Sequence, residues 1–265
     1  MFKIVVCAKQ VPDTNEIRIN PETGALIRDG VPSILNPDDA NALEQALKIK
    51  DSDPANVKVT VVSMGPPQAA DMLFECIAMG ADNAVLLSDR AVGGSDTWAT
   101  SNAITAAINK IGEFDMIIGG RQAIDGDTAQ VGPQISEKLH LPQVTYVQEC
   151  ELAADKKTVK VQRQLEDGYE VIEAPIPCML TCTKELNTPR YMNMAGIFNK
   201  DKDIAVWSAA DVQVDLTTVG LKASPTNVFR SFTPKPKGKG ITLEGDSEKD
   251  VAKNLLIKLK EKHVI

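Results

Sequence analysis

The chain of 265 residues is long enough for one large domain or two small ones. With 43% hydrophobic and 25% charged residues it has the make-up of a globular protein, and its net charge of −7 argues against a general nucleic-acid binder, whose surface must be basic to neutralise phosphates. No apolar run approaches the length of a membrane-spanning helix, and two histidines speak against a histidine-rich metal site or a Ser-His-Asp triad.

Phe2 to Ala8 is a buried-strand candidate rich in Ile and Val. The opening, MFKIVVCAKQVPDT, starts this strand at once and lacks a signal-peptide layout, so a cytoplasmic location is expected. Glu16 to Gly30, centred on Pro21-Glu22-Thr23-Gly24, reads as a hairpin. Asn36-Pro37-Asp38-Asp39 begins a helix: Asn suits the cap, Pro the first turn, and acids the positive end of the dipole. Val57 to Ser63 is a second strand, followed by a helix that Gly80 stops. Ala84 to Leu87 is a strand, Asp96 to Ile111 a helix and Phe114 to Ile118 a strand. A helical pattern then opens at Thr128 and runs to Leu139. This alternation predicts an α/β fold, a Rossmann-like doubly wound parallel sheet whose ligands lie at the carboxyl ends of the strands.

The pattern then changes. Thr158 to Leu165 and Tyr169 to Glu173 flank Glu166-Asp167-Gly168 and predict an added antiparallel hairpin. Cys178 to Thr183 gives another strand, and its two cysteines read as packed side chains rather than a metal clip. The odd total of five cysteines suits reduced core thiols. Asn187 to Lys202 reads as a loop, Thr233 to Gly240 as a basic Pro/Gly linker, and Ser247 to Lys262 as an amphipathic helix. Residues 1–199 are therefore expected to form the α/β domain. Residues 200–265 should form an extended arm, which either wraps its own domain or embraces a partner subunit; a terminal helix on a flexible linker suits the second.

The segment EFDMIIGGRQAIDGDTAQVGP, residues 113–133, carries the clearest chemistry. A strand that feeds a glycine-rich turn ending at a helix N-terminus is a ready anion cradle. Neither GxxxxGK[ST] nor a GxGxxG after a strand occurs, so ATP hydrolysis and standard dinucleotide binding lack a motif. Small residues Ala8, Gly65 and Gly120 would let an adenine or ribose approach the backbone. The amides of Thr128, Ala129, Gln130 and Val131 would face phosphates, and Arg121 could add a cation. Each feature has a plainer alternative: Asn36 as a cap, Gly65 and Gly120 as turn glycines, Asp125 and Asp127 as a solvated acidic loop. Asp-Gly-Asp lacks the remainder of a calcium loop. No general base, nucleophile or metal cluster stands in these loops, so any catalysis would be cofactor-borne.

Six segments in order resemble the β subunit of electron-transfer flavoproteins: VCAKQVPDT, LNPDDANALEQAL, VVSMGPPQA, AMGADNAVLLSD, GGRQAIDGDTAQVGP and LNTPRYMNMAGI. The resemblance spans essentially the whole chain. It implies a heterodimer with a larger α subunit whose FAD exchanges electrons with an acyl-CoA dehydrogenase. It also implies a second adenine nucleotide in this chain. That nucleotide is structural AMP in the common carriers. In the electron-bifurcating branch it is FAD, which takes a hydride from NADH and sends one electron to ferredoxin or flavodoxin and the other to the α-subunit flavin. Carried onto this sequence, the cofactor site comprises Ala8 and Lys9, Asn36, Pro37, Asp38 and Asp39, and Ser63, Met64 and Gly65. It continues through the loop of Gly120, Arg121, Gln122, Ala123, Ile124, Asp125, Gly126, Asp127, Thr128, Ala129, Gln130 and Val131. Met194, Ala195, Gly196 and Ile197 resemble the loop that docks on the dehydrogenase, with Met194 where familiar carriers have Leu. Val11-Pro12-Asp13-Thr14 resembles the bifurcating branch, and Gly126 stands where mitochondrial-type carriers have a bulkier acid; both favour FAD over AMP. An alternative of another class is a stand-alone AMP- or ATP-binding stress-type protein.

Overall fold

A computed structural model describes residues 1–13, 32–199, 204–229 and 237–265. The hairpin expected over Glu16–Gly30 lies outside them, apart from what flanks it. Two compact units divide the described chain: the first runs to Phe229 and the second contains the C-terminal residues.

The first unit is built on a nine-stranded sheet in the order β11-β5-β4-β1-β6-β10-β7-β8-β9. Its strands are β1 (Phe2–Cys7), β4 (Val57–Met64), β5 (Asn83–Leu87), β6 (Met116–Gly120), β7 (Gln143–Leu152), β8 (Thr158–Gln164), β9 (Tyr169–Pro175), β10 (Cys178–Cys182) and β11 (Ile204–Trp207). From β11 through β7 neighbouring strands run parallel, whereas β8 and β9 are antiparallel. A separate two-stranded ribbon pairs β2 (Gln10–Pro12) with β3 (Ser33–Leu35).

Both faces of the parallel part are covered, which is why its strands read as continuous apolar runs. Ile4 and Val6 point into one core with Leu43 and Leu47 of α1 (Pro37–Ser52) and Leu73 and Ile77 of α2 (Ala69–Met79). Val5, between them, points into the other core with Ile104 and Ile108 of α3 (Thr97–Ile111) and Ile135 of α4 (Val131–Lys138). Each such fully buried Ile or Leu is worth roughly 1.5–3 kcal/mol. The doubly wound α/β expectation and the added hairpin hold.

Several boundaries move. The strand expected at Phe114 starts at Met116 and includes Gly119 and Gly120. The helix expected from Thr128 starts three residues later, at Val131. Strand β7 was not anticipated, nor was β11, which adds Ile204–Trp207 to the sheet edge beside β5. Residues 204–229 belong to the first compact unit, with Ala209, Val212 and Val219 in its second core, so the division drawn at Lys200 falls too early. The expected loop over Asn187–Lys202 contains a short helix, α5 (Met194–Phe198). The terminal helix α6 (Glu248–Glu261) forms as expected, with the Ser247 side chain accepting from the Asp250 amide as its N-cap; its Leu255, Leu256 and Ile257 are exposed.

Candidate functional site

The chain runs from β1 outward to β4 and β5, then crosses to β6 on the other side of β1. Such a reversal opens a crevice outside the carboxyl ends of β1 and β6. Ala8 and Lys9 follow β1 there, and Gly120 and Arg121 stand at the end of β6. The head of α1 closes on both. Asp39 accepts the Lys9 amide on one carboxylate oxygen and the Gly120 amide on the other, each at 2.9 Å. Asp39 is thus a brace between two strand ends rather than a ligand-facing wall. Burial lifts its carboxyl to about 7, against the two amides, which favour the charged form.

Asn36 occupies the N-cap position but makes no capping bond. Instead its Nδ2 donates to the Gln122 carbonyl at 2.9 Å and its Oδ1 accepts the Ile124 amide at 3.1 Å. The side chain therefore pins the loop after β6 instead of capping α1. Gly120 is more than a turn glycine. A Cβ there would collide with Asp39 Oδ1 and stand 2.7 Å from the Asp38 backbone carbonyl carbon. Arg121 does not reach freely into the crevice: its Nε lies 3.5 Å from Asp38 Oδ2, and its guanidinium sits 5.6 Å from the Tyr146 ring centroid.

The acids of the loop are also paired. Lys9 Nζ pairs with Asp125 at 2.6 Å, and Gln122 Nε2 donates to Asp127 at 2.8 Å. One acid is thereby engaged by the end of β1 and the other within the loop, and no group of three or more His, Cys, Asp or Glu side chains suited to a metal occurs among the described residues. Asp127 and Ala129 both have left-handed backbone, with φ of 49° and 51°. From Thr128 onward, the amides of Thr128, Ala129, Gln130 and Val131 donate to no protein acceptor among the described residues, and Gln130 makes no side-chain cap. A Cβ on Gly126 would meet no atom within 4 Å, so space is open at the centre of the loop. At the end of β4, Ser63 is fully buried with a hydroxyl that has no partner among the described residues. A run of unclaimed amides, an open glycine and an orphaned hydroxyl at one sheet edge fit the phosphates and sugar of an adenine nucleotide.

Two neighbours escaped the sequence reading. Thr97 heads α3 and donates its hydroxyl to Gln130 Oε1 at 2.8 Å, fixing the residue before α4. Tyr146 stands in β7 with φ of 58°, beside Arg121. A β-propensity signal at Thr145-Tyr146-Val147 was the available clue to it.

The expected docking residues lie on a different surface. Asn193 caps α5 by accepting the Gly196 amide, while its own amide and Nδ2 both donate to the Ala78 carbonyl at the end of α2, at 3.0 and 2.8 Å. Gly196 packs so closely on Ala78 that a Cβ would come within 2.6 Å of that carbonyl. Tyr191, Met194 and Phe198 stand out from this anchor, 94%, 66% and 68% exposed.

Comparison with known proteins bears on these sites. The profile described as "Electron transfer flavoprotein domain" matches residues 23–212. The chain is 58% identical over 265 residues to the caffeyl-CoA reductase-Etf complex subunit CarD of Acetobacterium woodii, covering all of both chains. It is 56% identical, again over the whole of both, to the electron transfer flavoprotein subunit beta of Clostridium acetobutylicum. It is 51% identical, with full coverage of both, to the acryloyl-CoA reductase electron transfer subunit gamma of Anaerotignum propionicum.

Proposed function

The chain belongs to the electron transfer flavoprotein family, as a β subunit, and from that premise we propose that it pairs with an α subunit and holds FAD at the β1/β6 crevice. When bound there, FAD would supply hydride acceptance from NADH and the division of its two electrons between ferredoxin or flavodoxin and the α-subunit flavin, which serves an acyl-CoA dehydrogenase. The observation that carries this reading is the run of unclaimed amides from Thr128 to Val131 beside the open Gly126. Two relatives matched over the whole of both chains bear names from CoA reductase complexes, which supports an acyl-CoA-linked redox partner.

The chain's own residues position and shield. Asn36 would hold the loop over the phosphates and Asp39 would keep the two strand ends at a fixed spacing. Ser63 would offer its hydroxyl to the sugar or ring system, and the apolar cluster on α5 would dock the dehydrogenase. The test is a count of bound nucleotides in the purified α/β heterodimer, followed by anoxic mixing with NADH. Two FAD per heterodimer and rapid bleaching support the reading. One FAD with one AMP and no bleaching would assign the chain to the simple carriers.

A further inference from the structure

The segment that carries the exposed apolar cluster is fastened to α1 well before it reaches α2. Asn41 and Asn187 exchange bonds: each Nδ2 donates to the other's backbone carbonyl, at 2.7 and 3.0 Å. Three residues further along α1, the Glu44 carboxylate takes three donors from one residue. The amide of Arg190 and its Nε reach Oε2 at 3.1 and 2.8 Å, and Nη2 reaches Oε1 at 3.1 Å. The same Nη2 donates to Asp51 at 2.7 Å. Asn41, Glu44 and Asp51 recur at helical spacing, so this grip uses one stripe of α1.

The Glu44 side chain is only 5% exposed. A carboxylate that dry is tolerated only when its oxygens are met, and the planar fork of arginine meets both at once. The next fixed point is Asn193 on the Ala78 carbonyl. Tyr191 and Met192 are therefore strung between two anchors, and α5 starts directly after the second.

We infer that Arg190 is a positioning residue for partner docking, holding the Tyr191–Phe198 segment against α1 through Glu44 and Asp51 so that its apolar side chains face a protein acceptor at a fixed angle. This rests on the reading of α5 as the docking surface. Arg190 touches neither the crevice loops nor their braces, so its influence on docking is separable from cofactor binding.

The test uses the α/β heterodimer with the acyl-CoA dehydrogenase of the same cells as acceptor, and a soluble one-electron dye as a second acceptor that needs no docking. Arg190→Met should raise KM for the dehydrogenase about tenfold while leaving the dye rate and cofactor content unchanged. Arg190→Lys keeps the charge but loses the fork and should fall between; it also serves if the methionine variant fails to fold. Met194→Glu is the control for the docking surface. If it raises KM and the Arg190 variants do not, the positioning role is overturned and the docking surface stands. If it leaves KM unchanged, the docking surface itself falls and the inference with it. A parallel drop in dye rate, cofactor content and thermal midpoint in the Arg190 variants would reduce Arg190 to a purely structural tie and overturn the inference.

Discussion

Asp39 and Gly120 fit so closely that the carboxylate oxygen accepting the Gly120 amide fills the place a Cβ would need. The pair joins the head of α1 to the end of β6 at the reversal of the sheet. Gly120→Ala would have to push α1 off the sheet, and overpacking of this kind costs roughly 1–3 kcal/mol. Urea unfolding should show a lowered midpoint of that size. Gly126 gives the opposite expectation, because nothing lies where its Cβ would go. Gly126→Glu should leave the stability of the cofactor-free protein within about 0.5 kcal/mol, and lower flavin retention of the heterodimer. Unchanged retention would show that the centre of the loop faces no cofactor.

Asp39 should also leave a mark on the pH dependence of stability. Its folded-state carboxyl is lifted by burial from an ordinary 3.8 to about 7. As pH rises through the lower value the unfolded chain loses its proton while the folded chain keeps it. This group's contribution is therefore full below about pH 4 and is lost progressively up to about pH 7. The slope reaches at most about 1.4 kcal/mol per pH unit. Asp39→Asn cannot titrate, so the difference between wild-type and variant stabilities should change across that window and flatten above it. A difference that is constant from pH 4 to 7 would refute the lifted pKa.

Ser63 separates a ligand role from a packing role. Its buried hydroxyl bonds to nothing among the described residues. Removing it should cost the cofactor-free protein little, since an unpaired buried hydroxyl carries a desolvation penalty of about 1–3 kcal/mol already. If the hydroxyl meets the nucleotide, Ser63→Ala should weaken nucleotide affinity about tenfold, equivalent to about 1.4 kcal/mol. Isothermal titration of the heterodimer stripped of its second nucleotide checks this, and equal affinities would place the hydroxyl outside the contact.

Asn36 tests the loop that it pins. Asn36→Ala removes two bonds to the 122–124 segment and leaves the Gln122 carbonyl and the Ile124 amide without their partner. A loss of about 1–3 kcal/mol is expected, with faster amide exchange at Ile124. Retained protection there would mean that the loop is held by other contacts.

How much of this was legible depended on whether residue type and backbone shape agreed. α1 was readable because Asn-Pro-Asp-Asp states a helix start and the apolar spacing continues it. The crevice followed from the alternation of strands and helices, and the six matched segments supplied the residues expected to wall it. The role of Asp39 was not readable, since no pattern in one sequence reveals that a carboxylate turns inward to two distant amides. The start of α4 was misplaced because Asp127 and Ala129 adopt left-handed backbone that neither residue type announces. Strand β7 was missed for a related reason. Its pairing slips next to Val147 on both sides, Tyr146 is left-handed, and its buried Val144 and Val147 fall three apart instead of two. β11 gave no signal because its four residues bury little.

The position of β1 has a consequence for how the chain is made. β1 lies mid-sheet, and its two neighbours, residues 57–64 and 116–120, both follow it in the chain. One side of it must wait for more than fifty residues of synthesis and the other for more than a hundred. At about 5–20 residues per second the N-terminal strand spends several seconds without its second partner. During that time Ile4, Val5 and Val6 are a bare β-prone run, open to pairing with other strands until β6 arrives.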